Sequence, residues 1–401
     1  MSKDRLDRSK SLKAVDFSDT EVAFAHKDKS ELHRSYLLFK MLSYPLLVKM
    51  GPKFAGVSLK LKLPIRSLIK KTMFGQFCGG EDIEECSQTI KMLGDSGVGT
   101  ILDFATEACE SEADFERVMK EVMHSIELAQ MEGHVPFAVF KPTGLGRSKL
   151  FEKRDRKLDL SEEEKNEFRV ISERFESVCK YAFEHNVRIL VDAEESWIQD
   201  SVDQLVENMM QRYNKERAII YNTIQLYRKD RLDFLKISYG NASAKGYYLG
   251  VKLVRGAYLE KEGLRAKELG YVNPIHSSKE AADQDFNLAL RYCIENSQKL
   301  SIVAGTHNEK STKILMDLMN EFGLDSSDER VYFAQLLGMS DNLSFQLAKN
   351  GYNVCKYVPY GKLEELLPYL SRRAEENSSI QGQSGRELSL IDKELTRRSK
   401  T

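Results

Sequence analysis

Downstream of residue 93, short apolar runs rich in β-branched residues recur between longer amphipathic stretches. The runs are VGTILDFA (98–105), FAVFKPTGL (137–145), VRILVDAEE (187–195), AIIYNTIQ (218–225), YYLGVKLVRGAY (247–258), SIVAGTHN (301–308), VYFAQLLG (331–338) and NVCKYVPYG (353–361). Between them, segments such as DFERVMKEVMHSIELAQMEG (114–133) and FRVISERFESVCKYAFEHN (168–186) carry apolar residues at helical spacing. Strands of a parallel barrel are buried on both faces, so they read as near-continuous apolar runs rather than alternations. ILDF, RILVD and AIIY read that way. Eight such runs alternating with helices predict an α/β fold, a (β/α)₈ TIM-type barrel. A doubly wound open sheet would favour a glycine-rich phosphate turn after its first strand, and DFATEACE has none.

Residues 1–90 lack the strand rhythm. ELHRSYLLFKMLSYPLLVKM (31–50) reads as helical and broken near Pro45, and the basic stretch 51–75 interleaves lysine and arginine with apolar side chains. Together they predict an amphipathic helical arm packed on the main body, with contact to a membrane surface as the sharper alternative. The charged segments 148–166 and 259–285 read as solvated loops or short helices over the barrel mouth. From Gln381 the chain is polar, with one weak amphipathic stretch, ELSLIDKEL. The expected organisation is a helical arm over 1–93, a catalytic barrel over 94–380 and a polar tail over 381–401.

Composition narrows the function. The chain of 401 residues carries 60 Lys+Arg against 61 Asp+Glu, a balance that argues against nucleic-acid binding. Its six cysteines are scattered without a CxxC pair, which reads as reduced thiols rather than disulfides or a zinc motif. The N-terminus has no apolar signal core, and Asp4, Asp7 and Asp16 weigh against a mitochondrial presequence. A bacterial cytoplasm, with peripheral contact at the inner membrane face as an option, is therefore the expected location. No window is apolar enough to span a bilayer.

Catalytic side chains of a barrel come from the C-terminal ends of several strands. The polar residues there are Asp103, Lys141, Thr143, Asp192, Glu194, Glu195, Asn222, Gln225, Lys252, Arg255, Tyr258, Thr306, His307, Asn308, Gln335, Lys356, Tyr357 and Tyr360. Each alone could be a turn into a loop, but one at every strand end is a cluster that is costly unless paired or liganded. With one histidine in the set, a histidine-rich metal site is not expected, and no GxSxG or Cys–His arrangement marks an acyl-transfer nucleophile. After the last strand, KLEELLPYLSRRAEENSS (362–379) reads as a helix with Leu363, Leu366, Leu367 and Leu370 on one side. Arg372 and Glu376 could be only a surface pair at i,i+4. Alternatively, Arg372 and Arg373 could grip one carboxylate by charge-assisted bonds while Glu376 holds an ammonium. That combination suits an amino or imino acid.

FKPTGLGR, VDAEESW, NTIQLYRKD, VKLVRGAYLEKE, AGTHNE, FAQLLGM, KYVPYG and LPYLSRRAEENSS, in this order, resemble the proline dehydrogenase family, most closely its stand-alone, eukaryote-like branch, over about residues 35–380. The resemblance implies a distorted barrel with FAD over the strand ends. It implies oxidation of L-proline to Δ¹-pyrroline-5-carboxylate by hydride transfer to flavin N5, the first step of proline catabolism. Electrons then pass to a membrane quinone. By the same resemblance, Arg372, Arg373 and Lys141 bind the proline carboxylate, Glu376 faces the ring nitrogen, Tyr357 lies over the ring and Leu370 packs nearby. Asp192 and Lys252 are the expected catalytic residues, Lys252 near N5, where many bacterial relatives carry arginine. Ala193 and Gln225 adjoin the flavin, as do Lys252, Arg255, Gly256 and Ala257. Thr306, His307 and Asn308 contact the cofactor, and Gln335 and Leu336 lie near the adenine. No metal is implied, and oligomeric state carries no signal.

Tyr357 would crowd a 4-hydroxyl, so proline is expected over hydroxyproline. Two other classes differ in what they predict. A Schiff-base lyase or aldolase would use Lys141 or Lys252 as nucleophile with Asp192 as acid/base, and would need no flavin. A membrane-associated scaffold built on the basic arm would bind vesicles without turnover.

Overall fold

The computed structural model describes residues 15–44, 48, 66–106, 109–379 and 383–400. Eight parallel strands close into a barrel in chain order: β1 (Gly99–Phe104), β2 (Phe137–Phe140), β3 (Arg188–Val191), β4 (Ile220–Gln225), β5 (Leu249–Val254), β6 (Leu300–Gly305), β7 (Val331–Leu336) and β8 (Val354–Tyr360). β8 closes on β1 with Gly99 opposite Cys355 and Phe104 opposite Tyr360. Each predicted run holds one strand, and the fold is the (β/α)₈ barrel expected. Several strands stop short of their polar ends, so Lys141 and Asp192 open the loops after β2 and β3.

The amphipathic segments fold as the outer helices. The longest, Glu162–Glu184, begins at a capping box in which Ser161 and Glu164 satisfy each other's backbone N–H groups. Its buried face, including Phe168, Ile171, Phe175, Val178 and Ala182, packs on the barrel wall. Inside the barrel, Ile101, Phe137, Val139, Leu190, Tyr221, Val303 and Cys355 fill the space. Phe137 meets Tyr221 and Tyr332 edge-to-face, at centroid distances of 5.5 and 4.8 Å. The barrel is thus plugged, and its polar residues collect at the open end. The two charged insertions contribute short helices, Ser148–Asp155 and Leu259–Leu269.

The break predicted near Pro45, and residues 51–65 of the basic stretch, lie outside the described residues. The helix Lys29–Leu42 is capped by an Asp28–Glu31 box and buries Leu32, Leu38, Phe39 and Leu42. Residues read as a polar tail form the helix Gln383–Lys400, which lies with Lys29–Leu42 in one apolar cluster through Leu388, Ile391 and Leu395. Arg398 at its end donates 2.8 Å hydrogen bonds to the carbonyls of Phe24 and Lys27. Four apolar residues, Leu390 included, in a polar stretch are a thin signal, and the partner surface is more than 300 residues upstream. Among the described residues, no helix is long and apolar enough to cross a membrane.

Candidate active site

Five strands deliver one buried knot of side chains. Asp103 on β1 pairs with Lys141, and both are almost fully buried. Asp192 lies 3.9 Å from the same ammonium through its second oxygen. Lys252 on β5 donates to Asp192 and, at 2.8 Å, to the Tyr357 hydroxyl on β8. That hydroxyl donates to Asp192 at 2.7 Å, and the Lys252 ammonium lies 4.6 Å from the Tyr357 ring centroid. Burial alone would raise the Asp192 carboxyl, but Lys252 and Lys141 outweigh it and hold Asp192 below the usual carboxylate range. Burial, reinforced by Asp192, raises Asp103 against the pull of Lys141. Burial and then Asp192 push the Tyr357 phenol far up, so it remains a donor.

Behind the knot, Glu194 accepts from the Thr143 backbone N–H at 2.9 Å and from its hydroxyl at 2.6 Å. Burial pushes its carboxyl up to about 7 despite those bonds. The Glu194 carbonyl accepts the Gln225 amide N–H at 3.0 Å. That bond orients the Gln225 amide, and its buried Oε1 is left without a hydrogen-bond partner among the described residues.

The β5–β7 side is built differently. Arg255 donates to Asp283, to Thr306 Oγ1 at 2.7 Å and to Ser311 Oγ at 3.0 Å, and its guanidinium lies over Phe286. Gly256 follows with φ +134°, and an added Cβ would lie 2.4 Å from the Tyr227 ring, so only glycine fits. Ala257 is exposed beside it. Asn308 caps the helix Glu309–Glu321 through the Ser311 N–H. Gln335 donates to the Thr306 carbonyl at 3.2 Å and accepts from Ser344 at 2.8 Å. His307 shares a 3.0 Å hydrogen bond with Ser340 Oγ, and burial with the nearby Lys356 and Arg373 lowers it to about 3, which keeps the imidazole neutral. Ser340 itself sits at φ +51°, and its N–H is held at 2.7 Å by Glu387 from the C-terminal helix.

The helix Leu363–Ser379 after β8 presents the arginine pair. Arg373 pairs with Glu376 at i,i+3, and the Arg372 guanidinium lies 5.8 Å from the ring of Tyr258 in the loop after β5. Burial raises the Glu376 carboxyl, with Arg373 and Arg372 opposing. Tyr369 on the same helix is buried, which raises its phenol, and its hydroxyl has no hydrogen-bond partner among the described residues. Leu370 is buried beside it in the same apolar cluster. Ala193 is half-buried between Asp192 and Glu194, and Leu336 packs against Tyr357's cluster.

The sequence-predicted residues thus gather at the barrel mouth in two groups, with exceptions among the wider set. Lys356 points to the opposite face of β8 from Tyr357, fully buried, and pairs with Asp341 at 2.8 Å; strand alternation carries that signal. Asn222 likewise faces outward, bonded to Asp203 at 2.8 Å. Asp103 and Glu194 stand among the strand-end candidates of the sequence but without an assigned role, and Asp283, Ser340 and Glu387 are additions of the structure. Asp103 and Glu194 carried the signal of charge at a strand end, whereas the others act through partners distant in sequence.

A family model described as proline dehydrogenase matches residues 86–386. The chain is 36% identical over 326 residues to the carbapenem antibiotics biosynthesis protein CarD of Pectobacterium carotovorum subsp. carotovorum, covering 80% of this chain and 83% of that protein. It is 42% identical over 245 residues to mitochondrial proline dehydrogenase 1 of Homo sapiens, covering 60% of this chain and 41% of that protein. It is 32% identical over 422 residues to hydroxyproline dehydrogenase of Xenopus laevis, covering 96% and 90%. The chain therefore spans under half the length of the human relative. In fold it is similar to proline utilization A of Bdellovibrio bacteriovorus inactivated by N-propargylglycine, with TM-score 0.70 and 20% identity over 92% of this chain and 37% of that one. Since the family model extends across the whole barrel and the helix that bears Arg372 and Arg373, the chain belongs to the proline dehydrogenase family.

Proposed function

We propose that the chain oxidises L-proline to Δ¹-pyrroline-5-carboxylate with FAD as hydride acceptor, the first step of proline catabolism, and passes the electrons to a membrane quinone. The observation that carries this reading is the charge arrangement at the mouth. Lys141, Lys252, Arg372 and Arg373 face Asp103, Asp192 and Glu376, and burial pushes Asp103 and Glu376 toward their neutral forms. The resulting positive surplus suits a ligand with one carboxylate.

The residues present fit a flavin. Gln225 Oε1 is a buried acceptor without a donor among the described residues, which suits a ring N–H. Gly256 has no room for a side chain and leaves its backbone open to close approach, beside the Arg255 guanidinium that suits a phosphate. Gln225, Lys252, Ala193, Arg255, Gly256 and Ala257, with Thr306, His307, Asn308, Gln335 and Leu336, would hold the dinucleotide. When bound, the flavin supplies the two-electron acceptor. The protein's own work is binding and orientation. Arg372, Arg373 and Lys141 clamp the carboxylate, while Tyr357 and Leu370 confine the ring, so C5 is fixed at the far end. The ring nitrogen must be deprotonated before its electron pair can form the C=N bond as hydride leaves C5, and Glu376 faces that nitrogen. Lys252, held by Asp192, stabilises negative charge that develops beside it. Quinone reduction places the chain at a membrane surface, as a peripheral contact.

Tyr357 separates this reading from hydroxyproline oxidation, the activity named for the Xenopus relative. Its hydroxyl is fixed by both Lys252 and Asp192, so the ring cannot swing aside for a 4-hydroxyl. The test is anaerobic. Purified protein with a flavin spectrum that bleaches on L-proline supports the reading, and slower bleaching by trans-4-hydroxyproline supports the substrate choice. Protein that takes up no FAD overturns it.

A further inference from the structure

We infer that Glu194 is a positioning residue for Lys141 and thereby sets the affinity for the substrate carboxylate. This rests on the function proposed above. Lys141 is held at both ends. Its ammonium is paired with Asp103, and its backbone enters the turn Pro142–Gly144. That turn makes two backbone bonds, from the Gly144 N–H to the Lys141 carbonyl and from the Leu145 N–H to the Pro142 carbonyl, each 3.0 Å. The Glu194 carboxylate supplies its anchorage to the loop after β3 through both Thr143 donors. Glu194 and Thr143 are almost fully buried, 4% and 3% exposed, so water cannot replace a lost acceptor without rearrangement. A buried carboxylate is costly to retain, and no step of the reaction uses this one.

The two roles of Glu194 are separable. Its side chain holds the Lys141 turn, whereas its main-chain carbonyl orients Gln225. A side-chain substitution therefore acts on the substrate end and leaves the flavin end in place. Glutamine can keep both bonds, because its carbonyl oxygen accepts the Thr143 N–H and its amide donates to the Thr143 hydroxyl, which rotates to accept.

The experiment compares full-length wild type, Glu194→Ala and Glu194→Gln as holoenzymes. Glu194→Ala is expected to raise KM for L-proline about ten-fold, the scale of one unsatisfied buried group, with a smaller loss of kcat and unchanged FAD affinity in titrations of the apoprotein. Glu194→Gln is expected to restore KM. Amide hydrogen exchange at Thr143 in ligand-free protein should speed up in the alanine variant and stay slow in the glutamine variant. The exchange readout does not depend on which substrate is used, so it isolates the positioning claim from the proposed reaction. Unchanged KM and unchanged exchange in Glu194→Ala would overturn the inference, as would equal loss of proline affinity and FAD affinity in both variants.

Discussion

Around Asp192, four charged side chains and the Tyr357 phenol, from five strands, share one buried knot, whereas around Thr306 the mouth is lined by amide, hydroxyl and imidazole groups with Arg255 anchored among them. Both regions sit at the ends of neighbouring strands, yet they answer different demands. The knot holds Lys141 and Lys252 in fixed positions by surrounding them with carboxylates, which suits a small ligand bearing one charge. The β5–β7 side spreads neutral hydrogen-bonding groups over a longer surface, which suits an extended cofactor. The energetic consequence is that the knot is fragile to loss of any charged member, because removing one leaves another charge buried and uncompensated. The neutral side loses one hydrogen bond at a time.

Substitutions can break this contrast or sharpen it. Asp192→Ala, which strands Lys252, should cost about 3–5 kcal/mol of stability and abolish flavin reduction by proline; urea titration and anaerobic stopped-flow absorbance read the two effects. A loss under 1 kcal/mol would mean that water or another group already compensates the lysine. Arg255→Ala removes bonds to Asp283, Thr306 and Ser311 and should cost about 2–3 kcal/mol, expressed as FAD lost on gel filtration. A variant that keeps FAD but loses proline affinity would reverse the assignment of the two sides.

Glu194 supplies a pH test. Burial first, opposed by the two Thr143 bonds, raises its carboxyl from 4.5 to about 7. Within that window the folded chain holds a proton that the unfolded chain has released, so this group's contribution to stability is full below about 4.5 and declines as pH rises to about 7. Glu194→Gln does not titrate. Its stability relative to wild type should therefore be greater at pH 8 than at pH 5, measured by denaturant unfolding; a gap that does not change with pH would refute a burial-raised carboxyl. Tyr357→Phe deletes only the hydroxyl between Lys252 and Asp192 and should lower kcat/KM for proline roughly ten-fold, about 1.4 kcal/mol, while relaxing discrimination against trans-4-hydroxyproline. Asp95→Ala breaks an exposed pair with Lys91 at 2.8 Å and should change stability by less than about 0.5 kcal/mol, a control for charge removal as such.

Much of the architecture was legible along the chain. A strand buried on both faces must be apolar throughout, so each barrel strand announced itself, and polar residues at the run ends marked the mouth. Lys141, Asp192, Lys252 and Tyr357 were found on that basis and by resemblance. Their pairing was not legible: Asp103 meets Lys141 across the neighbouring strands β1 and β2, and Asp192, after β3, meets Tyr357 on β8 only because the barrel closes. The turn of Lys356 away from the mouth follows from strand alternation once the register of Tyr357 is known. Residues 383–400 read as a tail because a helix with few apolar positions gains stability only from the surface it covers. That surface includes Leu32, Phe39 and Leu42 from the other end of the chain.

Local pattern, governed by burial and helical or strand period, determined the barrel, its strand count and the end that carries the chemistry. Tertiary structure alone decided which charges neutralise which. Ion pairing depends on distance in space and on the desolvation of both partners, and neither quantity is written at any single position of the sequence.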